Sequence, residues 1–480
     1  MDRFMPGIAT KTKIIATVGP ACQSVKVLTD LVKEGVDVFR LNFSHGSHDD
    51  HAATIKNIHA INKKLGTNVA ILADLQGPKI RVGKIDTPDG KMPLKKDSTL
   101  IFSTNESDAK SIYISYQEFP KDVNVGDKVL IDDGKIELEV IETNAKDKVK
   151  LKVCNDGVLS SNKGVNLPDT IVSLPSLTDK DSKDLDFMLT QEVNWIALSF
   201  VRNANDVIKL KGLLEVKKHP AKIIAKIEKP QAVADIEAIV TESDAIMIAR
   251  GDLGVEVPVE QMPVIQKQIT RLCIENSKPV IIATQMMDSM IDNLMPTRAE
   301  VSDVANAIFD GADAVMLSGE TAVGKHPVRV VRKMHDILQR VEQEESIYNK
   351  EWALNSESPK FFSDAICRTV CKIADEINAN AIIGMTKSGY TAFTLSSHRP
   401  KANVYVFSEN RDLLNQASLI WGVRAFYYDK FVSTDATIAD VQNILKQKGY
   451  IQKGDVVMNT GSMPIHERGP TNTIKVSVID

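Results

Sequence analysis

The chain has 480 residues, more than a single compact core usually spans, and its 43% hydrophobic content is ample for several cores. A net charge of -4 and a pI near 6.2 exclude the polybasic field that draws proteins to nucleic acid or to anionic membranes. No apolar run is long enough for a membrane span and MDRFMPGIATKTK lacks the apolar core of a signal peptide, so a cytoplasmic protein working on small molecules is expected. Five cysteines (Cys22, Cys154, Cys273, Cys367, Cys371) are scattered without zinc-site spacing, which fits a reducing compartment and a packing role.

From Lys13 a phrase recurs: an aliphatic run of strand length, a polar or glycine-bearing tip, then an amphipathic helical stretch. TKIIATVGPA is the first; VDVFRLNFSHG carries Arg40, Asn42, Ser44 and His45 at its tip, and VAILADLQGPKIR carries Asp74, Lys79 and Arg81. The rhythm breaks from about Gly83 to Pro175, where alternating apolar and polar residues with PDG and DDG turns predict an inserted β domain. It resumes with WIALSFVR, KIIAKIEKP, DAIMIARGDLG, PVIIATQMM and DAVMLSGETA, making eight strand units in all. Eight is the number that closes a TIM (β/α)8 barrel, and charged or hydroxyl residues, Thr284 and Ser318 among them, gather at the strand C-terminal ends where such barrels work. A doubly wound sheet is the alternative. A third region alternates strand and helix through AIIGM, ANVYVF, VRAFYY, DVVMNT and TIKVSVI, predicting an open α/β domain. The expected domains are barrel at 1–82 and 176–350, insert at 83–175 and α/β domain at 351–480.

Lys226, Glu228 and Asp252 end two aliphatic runs, where burial without purpose is too costly. At the ends of adjacent barrel strands the two carboxylates converge as hard oxygen ligands for Mg2+, against the bland reading of salt-bridge partners. Lys226 shares a face with Glu228, two residues on, and a cation there suits charge on a phosphoryl group or an enolate. SGETAVGKHP misses the phosphate-loop pattern, with His326 where a hydroxyl belongs, and no G-x-G-x-x-G occurs. AIIGMTKSGYTA sets Thr386, Lys387, Ser388, Gly389 and Thr391 between strand and helix, either as a phosphate cradle or as an ordinary capped helix.

FRLNFSHG, GPKIR, KGVNLP, AKIEK, MIARGDLG, ATQMMDSM, PTRAEVSDVANAIFDGAD and LSGETA together resemble the signature runs of pyruvate kinases, over nearly the whole chain. The resemblance implies transfer of the phosphoryl group of phosphoenolpyruvate to ADP, giving pyruvate and ATP in glycolysis, on a TIM barrel with an inserted β-barrel lid and a C-terminal effector-binding domain. It implies Mg2+, or Mn2+ in its place, held by Glu228 and Asp252, and Lys226 bridging the transferred group. It implies further that Arg40 contacts phosphate, that the backbone of Ala249, Arg250 and Gly251 receives the substrate carboxylate with Thr284, and that Thr284 and Ser318 belong to the hydroxyl and water relay that protonates the enolate. The same resemblance implies that Asp133 and Lys163 close on the nucleotide, whose side Arg40, His45 and Arg81 also line.

Many pyruvate kinases bind K+ through an Asn, a Ser, an Asp and a Thr carbonyl with a Glu nearby. Here Asn42, Ser44 and Asp74 stand, but Leu75 replaces the Thr and Lys79 the Glu, which resembles the K+-independent branch and implies that the Lys79 ammonium substitutes for the ion. TKSGYT matches the family's effector phosphate loop, whereas NTGSMPIHERGPTNT departs from the fructose-bisphosphate-regulated pattern and leaves His466, Glu467 and Arg468 as anion partners. A phosphorylated allosteric effector of open identity is therefore expected. The resemblance also implies a homotetramer with Arg298, on a helix beside the sixth-strand loop, steadying Gly251 of a neighbour; an internal salt bridge is the bland reading. The rivals are another Mg2+-dependent aldolase or mutase of phosphoenolpyruvate or pyruvate, which has no use for Asp133 and Lys163, and a non-catalytic sugar-phosphate sensor, which would not keep Lys226 and Asp252.

Overall fold

Eight aliphatic runs become parallel strands: β1 (Lys13–Thr17), β2 (Val38–Asn42), β3 (Ala70–Asp74), β4 (Trp195–Leu198), β5 (Lys222–Ile227), β6 (Ala245–Ala249), β7 (Val280–Ala283) and β8 (Ala314–Leu317). Each pairs with its neighbours in chain order, and β8 returns to β1 with Lys13 opposite Ala314, so the sheet closes. This computed structural model describes residues 10–430, 433–463 and 469–480; His466, Glu467 and Arg468 lie outside them.

The strands read as continuous aliphatic runs because both faces are buried. Ile14, Phe39, Ile71, Ile196, Ile223, Ile246, Ile282 and Val315 point outward into one large core under the helices. Ile15, Val38, Leu72, Trp195, Ile224, Met247, Ile281 and Met316 point inward and fill the barrel. Leu419, from the C-terminal region, joins that inward cluster and closes the end of the barrel where the strands begin.

The insert between β3 and β4 is antiparallel β structure apart from one parallel edge pair, around a core of its own with Phe102, Val129, Leu138 and Leu151 fully buried. Its six-stranded sheet runs from Val165–Asn166 at one edge to Ile112–Tyr113 at the other. Single-residue bridges from Arg81 to Gly164 and from Val82 to Ile114 tie those two edges together, so the outgoing chain completes a small barrel.

The C-terminal sheet has the order Val423–Tyr427, Asn403–Ser408, Ala381–Met385, Val456–Gly461, Thr473–Val478, with only the last strand antiparallel. Apolar clusters cover both of its faces. It is fixed to the barrel by Arg399, whose guanidinium meets Asp313 at 3.1 and 2.9 Å just ahead of β8. Lys11 adds three hydrogen bonds, to the carbonyls of Pro400, Lys401 and Ala402, at 3.0, 2.9 and 3.0 Å.

Candidate active site

Along the inward faces the residue type changes at the strand C-terminal ends. Val38 gives way to Arg40, Leu72 to Asp74, Ala197 to Ser199, Ile224 to Lys226 and Met316 to Ser318, each two residues on and therefore on the same face. The barrel is thus apolar through its depth and polar at one mouth.

All of those side chains except Ser318 form one network. Asp74, fully buried, takes Arg40 Nε at 2.7 Å through Oδ2 and Lys226 Nζ at 3.2 Å through Oδ1. Arg40 also donates to Thr17 Oγ1 at 3.1 Å. Lys226 Nζ donates to Ser199 Oγ at 2.7 Å and sits 3.1 Å from Glu228 Oε1, while Glu228 Oε2 accepts from the Phe200 amide at 2.6 Å. Burial by itself would raise Asp74, but Lys226 and Arg40 hold it below the usual carboxylate range. Burial likewise opposes the Lys226 charge, and Asp74 and Glu228 outweigh it, so the ammonium is kept. Glu228 is pushed up, by burial first and by the nearby Asp252 charge, against the pull of Lys226.

Glu228 at a buried strand end and Asp252 in the helix that follows the next strand are two hard oxygen donors suited to a divalent cation. Among the described residues no group of three or more His, Cys, Asp or Glu side chains is placed to hold a metal ion.

Asp252 lies in the first turn of the helix Arg250–Glu256 after β6. Arg250 is clamped on Asp303 at 2.8 and 2.7 Å, and its guanidinium reaches the Thr284 carbonyl at 2.8 Å. Thr284 and Gln285 both adopt left-handed backbone (φ 69° and 55°), turning the chain sharply after β7. That conformation is costly for a β-branched residue, and it places Thr284 Oγ1 2.7 Å from the Gly251 amide, whose hydrogen bond it accepts. Ser318 Oγ is buried with no partner among the described residues, and Glu320 holds the Ser318 amide at 2.6 Å.

A cleft of about 880 Å3 brings the lid to this mouth: Asp133 lines it with Lys79, Arg250, Gly251, Asp252 and Asp303. Lys79 Nζ is 3.5 Å from Asp252 Oδ1. The other expected nucleotide residues stand apart from that lining: Lys163 pairs with Asp132 at 2.8 Å, Arg81 reaches the Asn162 carbonyl at 3.1 Å, and His45 is exposed. At the expected K+ position, Asn42 Oδ1 accepts from the Ser44 amide at 3.1 Å, and the Leu75 carbonyl accepts from Ser199 Oγ at 2.7 Å.

Thr386, Lys387, Ser388 and Thr391 line a separate cleft of about 540 Å3 with Ser462, Gly469 and Thr471. Gly389 has φ 87°, where a Cβ would also meet Leu413 Cδ1 at 2.5 Å, and its amide donates to Thr386 Oγ1 at 3.0 Å. Arg298 is exposed in the first turn of the helix Arg298–Asp310 and pairs with no described carboxylate.

Ser199 and Asp303 escaped the sequence reading. Ser199 carried the same signal as its neighbours, a hydroxyl at a strand end. Asp303 carried none, because its partner Arg250 is 53 residues away.

Comparison with known proteins matches residues 9–331 to the barrel-domain model of pyruvate kinase and residues 364–477 to its alpha/beta-domain model. The chain is 44% identical over 473 residues to "Pyruvate kinase 2" of Synechocystis sp., covering 98% of this chain and 79% of the relative. It is 42% identical over 475 residues to a pyruvate kinase of Clostridium acetobutylicum, covering 98% and 100%. A crystal structure of a pyruvate kinase from Cryptosporidium parvum superposes with a TM-score of 0.89 at 34% identity, covering 98% of this chain and 96% of that one.

Proposed function

The chain belongs to the pyruvate kinase family, and from that membership we propose how its residues carry the phosphotransfer from phosphoenolpyruvate to ADP. The reaction yields pyruvate and ATP and is a glycolytic step. What supports the residue assignment most is the Lys226 ammonium, gripped by Ser199, Asp74 and Glu228 at a buried strand end.

In this reading Lys226 neutralises charge on the transferred group, and Arg40, oriented by Asp74 and Thr17, grips a phosphate oxygen. Glu228 and Asp252 would hold Mg2+, or Mn2+, which would supply Lewis-acid stabilisation of that charge. The substrate carboxylate takes the backbone of Ala249, Arg250 and Gly251, exchanging for the bond that Thr284 makes to Gly251 in this state. Ser318, an orphaned hydroxyl, works with Thr284 to relay a proton to the enolate carbon. Asp133, Lys163, Arg81 and His45 serve the nucleotide, and the lid excludes water that would hydrolyse the phosphoryl group.

The test is pyruvate formation from phosphoenolpyruvate, ADP and Mg2+ by the wild type and by Lys226→Met. The variant is expected to lose at least about 10^2–10^3-fold in kcat, the scale for removing one preorganised electrostatic group. Near-normal turnover in the variant would sink the assignment.

The reading extends to K+-independence through Lys79, beside Asp252. It extends also to a phosphorylated effector in the Thr386–Thr391 cleft and to a homotetramer in which Arg298 reaches Gly251 of a neighbour. A cytoplasmic place belongs to the same proposal; among the described residues no helix is long and apolar enough to cross a membrane.

A further inference from the structure

The helix Arg250–Glu256 begins with Arg250, Gly251 and Asp252 and ends on Glu256, a carboxylate only 4% exposed. Glu256 Oε1 meets Lys229 Nζ at 2.5 Å and accepts from Asn166 Nδ2 at 2.8 Å, while Oε2 is buried with no partner among the described residues. Burying an ionised carboxylate is expensive even when it is paired, so its place needs a reason beyond stability.

The three residues come from three different parts. Asn166 ends the last lid strand, Val165–Asn166, at the base of the lid, where the Val165 amide donates to the Ile80 carbonyl at 2.9 Å and the outgoing and returning segments run side by side. Lys229 directly follows Glu228, and Glu256 lies one helical turn after Asp252. The lid approaches the same helix again at Gly134, where an added Cβ would lie 3.7 Å from Val255 Cγ1. The lid is therefore seated on the element that carries Asp252, and its base is joined by a charge-assisted hydrogen bond to a carboxylate whose counter-ion adjoins Glu228.

We propose that Asn166, Glu256 and Lys229 form a positioning joint that sets where the lid seats over the bound nucleotide. None of the three is assigned a contact with substrate; Glu256 acts through the Arg250–Glu256 helix and through Asn166. The inference rests on the reading of the insert as a nucleotide lid and adds to it the joint that aligns it.

Asn166→Asp keeps the size of the side chain but sets a second carboxylate against Glu256, whereas Glu256→Gln in that background restores a donor facing an acceptor. Kinetics are measured with ADP and phosphoenolpyruvate varied separately, alongside hydrogen exchange of residues 128–166 with and without Mg-ADP. Asn166→Asp is expected to raise KM for ADP about tenfold, equivalent to about 1.4 kcal/mol of lost alignment. The KM for phosphoenolpyruvate should move less than about twofold, and exchange protection of the lid by Mg-ADP should fall. The double variant should recover to within about threefold of wild type. Asn166→Ser, which removes reach without adding charge, is expected to shift the ADP KM in the same direction and serves if the aspartate fails to fold. An unchanged ADP KM in these Asn166 variants, or a double variant whose losses merely add, overturns the joint while leaving the lid reading intact. A wild type that makes pyruvate without saturable dependence on ADP overturns both.

Discussion

The proposed K+-independence turns on one side chain, Lys79. Its ammonium lies 3.5 Å from a carboxylate oxygen of Asp252, and in the proposed reading that fixed positive charge takes over the role of the K+ ion. The Leu75 carbonyl, at the position of the Thr carbonyl ligand, is meanwhile engaged by Ser199. Activity in buffers without Na+ and K+ is expected to reach its full value, and Lys79→Glu to lower it at least about tenfold by setting a carboxylate against Asp252, with added K+ restoring part of the loss. Large stimulation of the wild type by K+ would refute this. Lys226, Glu228 and Asp252 were legible in the sequence because charge at the end of an aliphatic run has no bland place to go. The joint at Glu256 was not, since Asn166 is 90 residues away and reaches it only through the docking of one domain on another.

At the scale of elements, the barrel strands were legible because two buried faces leave an unbroken aliphatic run, while closure of the lid through isolated bridges at Arg81 and Val82 left no periodic trace. The helix Tyr390–Ser397 ends on His398, which is buried, stacked on Trp352 at 4.3 Å between ring centroids, and bonded to the Lys350 carbonyl at 3.3 Å. Burial, with Arg368 and Arg399 nearby, lowers it from 6.5 to about 4. Between those values the unfolded chain binds a proton that the folded chain refuses, so stability falls as pH falls through this window. By pH 5 the loss from this group is about 2 kcal/mol, read as the difference in denaturation free energy between pH 7 and pH 5. His398→Gln should show a correspondingly shallower dependence; an identical slope would show that the ring is not the source.

In the whole molecule the insert and the C-terminal α/β domain are attached to opposite ends of one barrel. Arg399 grips Asp313 at the start of β8, whose other end leads into Ser318, so a shift of the C-terminal domain has a stiff strand along which to reach the mouth. In light scattering the enzyme is expected to be a tetramer. Within a panel of sugar phosphates and nucleoside monophosphates, at least one should sharpen phosphoenolpyruvate saturation in the wild type and not in Lys387→Met. Unchanged cooperativity across the panel would remove the effector reading, and a fully active monomer the interface role of Arg298.

The Leu419 plug also orders events at the ribosome. The barrel seam joins β1 to β8, with Thr17 Oγ1 bonded to the Leu317 carbonyl 300 residues away, so no barrel exists until β8 has emerged, whereas the insert has a complete core long before. Leu419 follows later still, and at a synthesis rate of about 5–20 residues per second the new barrel spends several seconds with an uncovered apolar floor. That exposure ends when the last domain arrives.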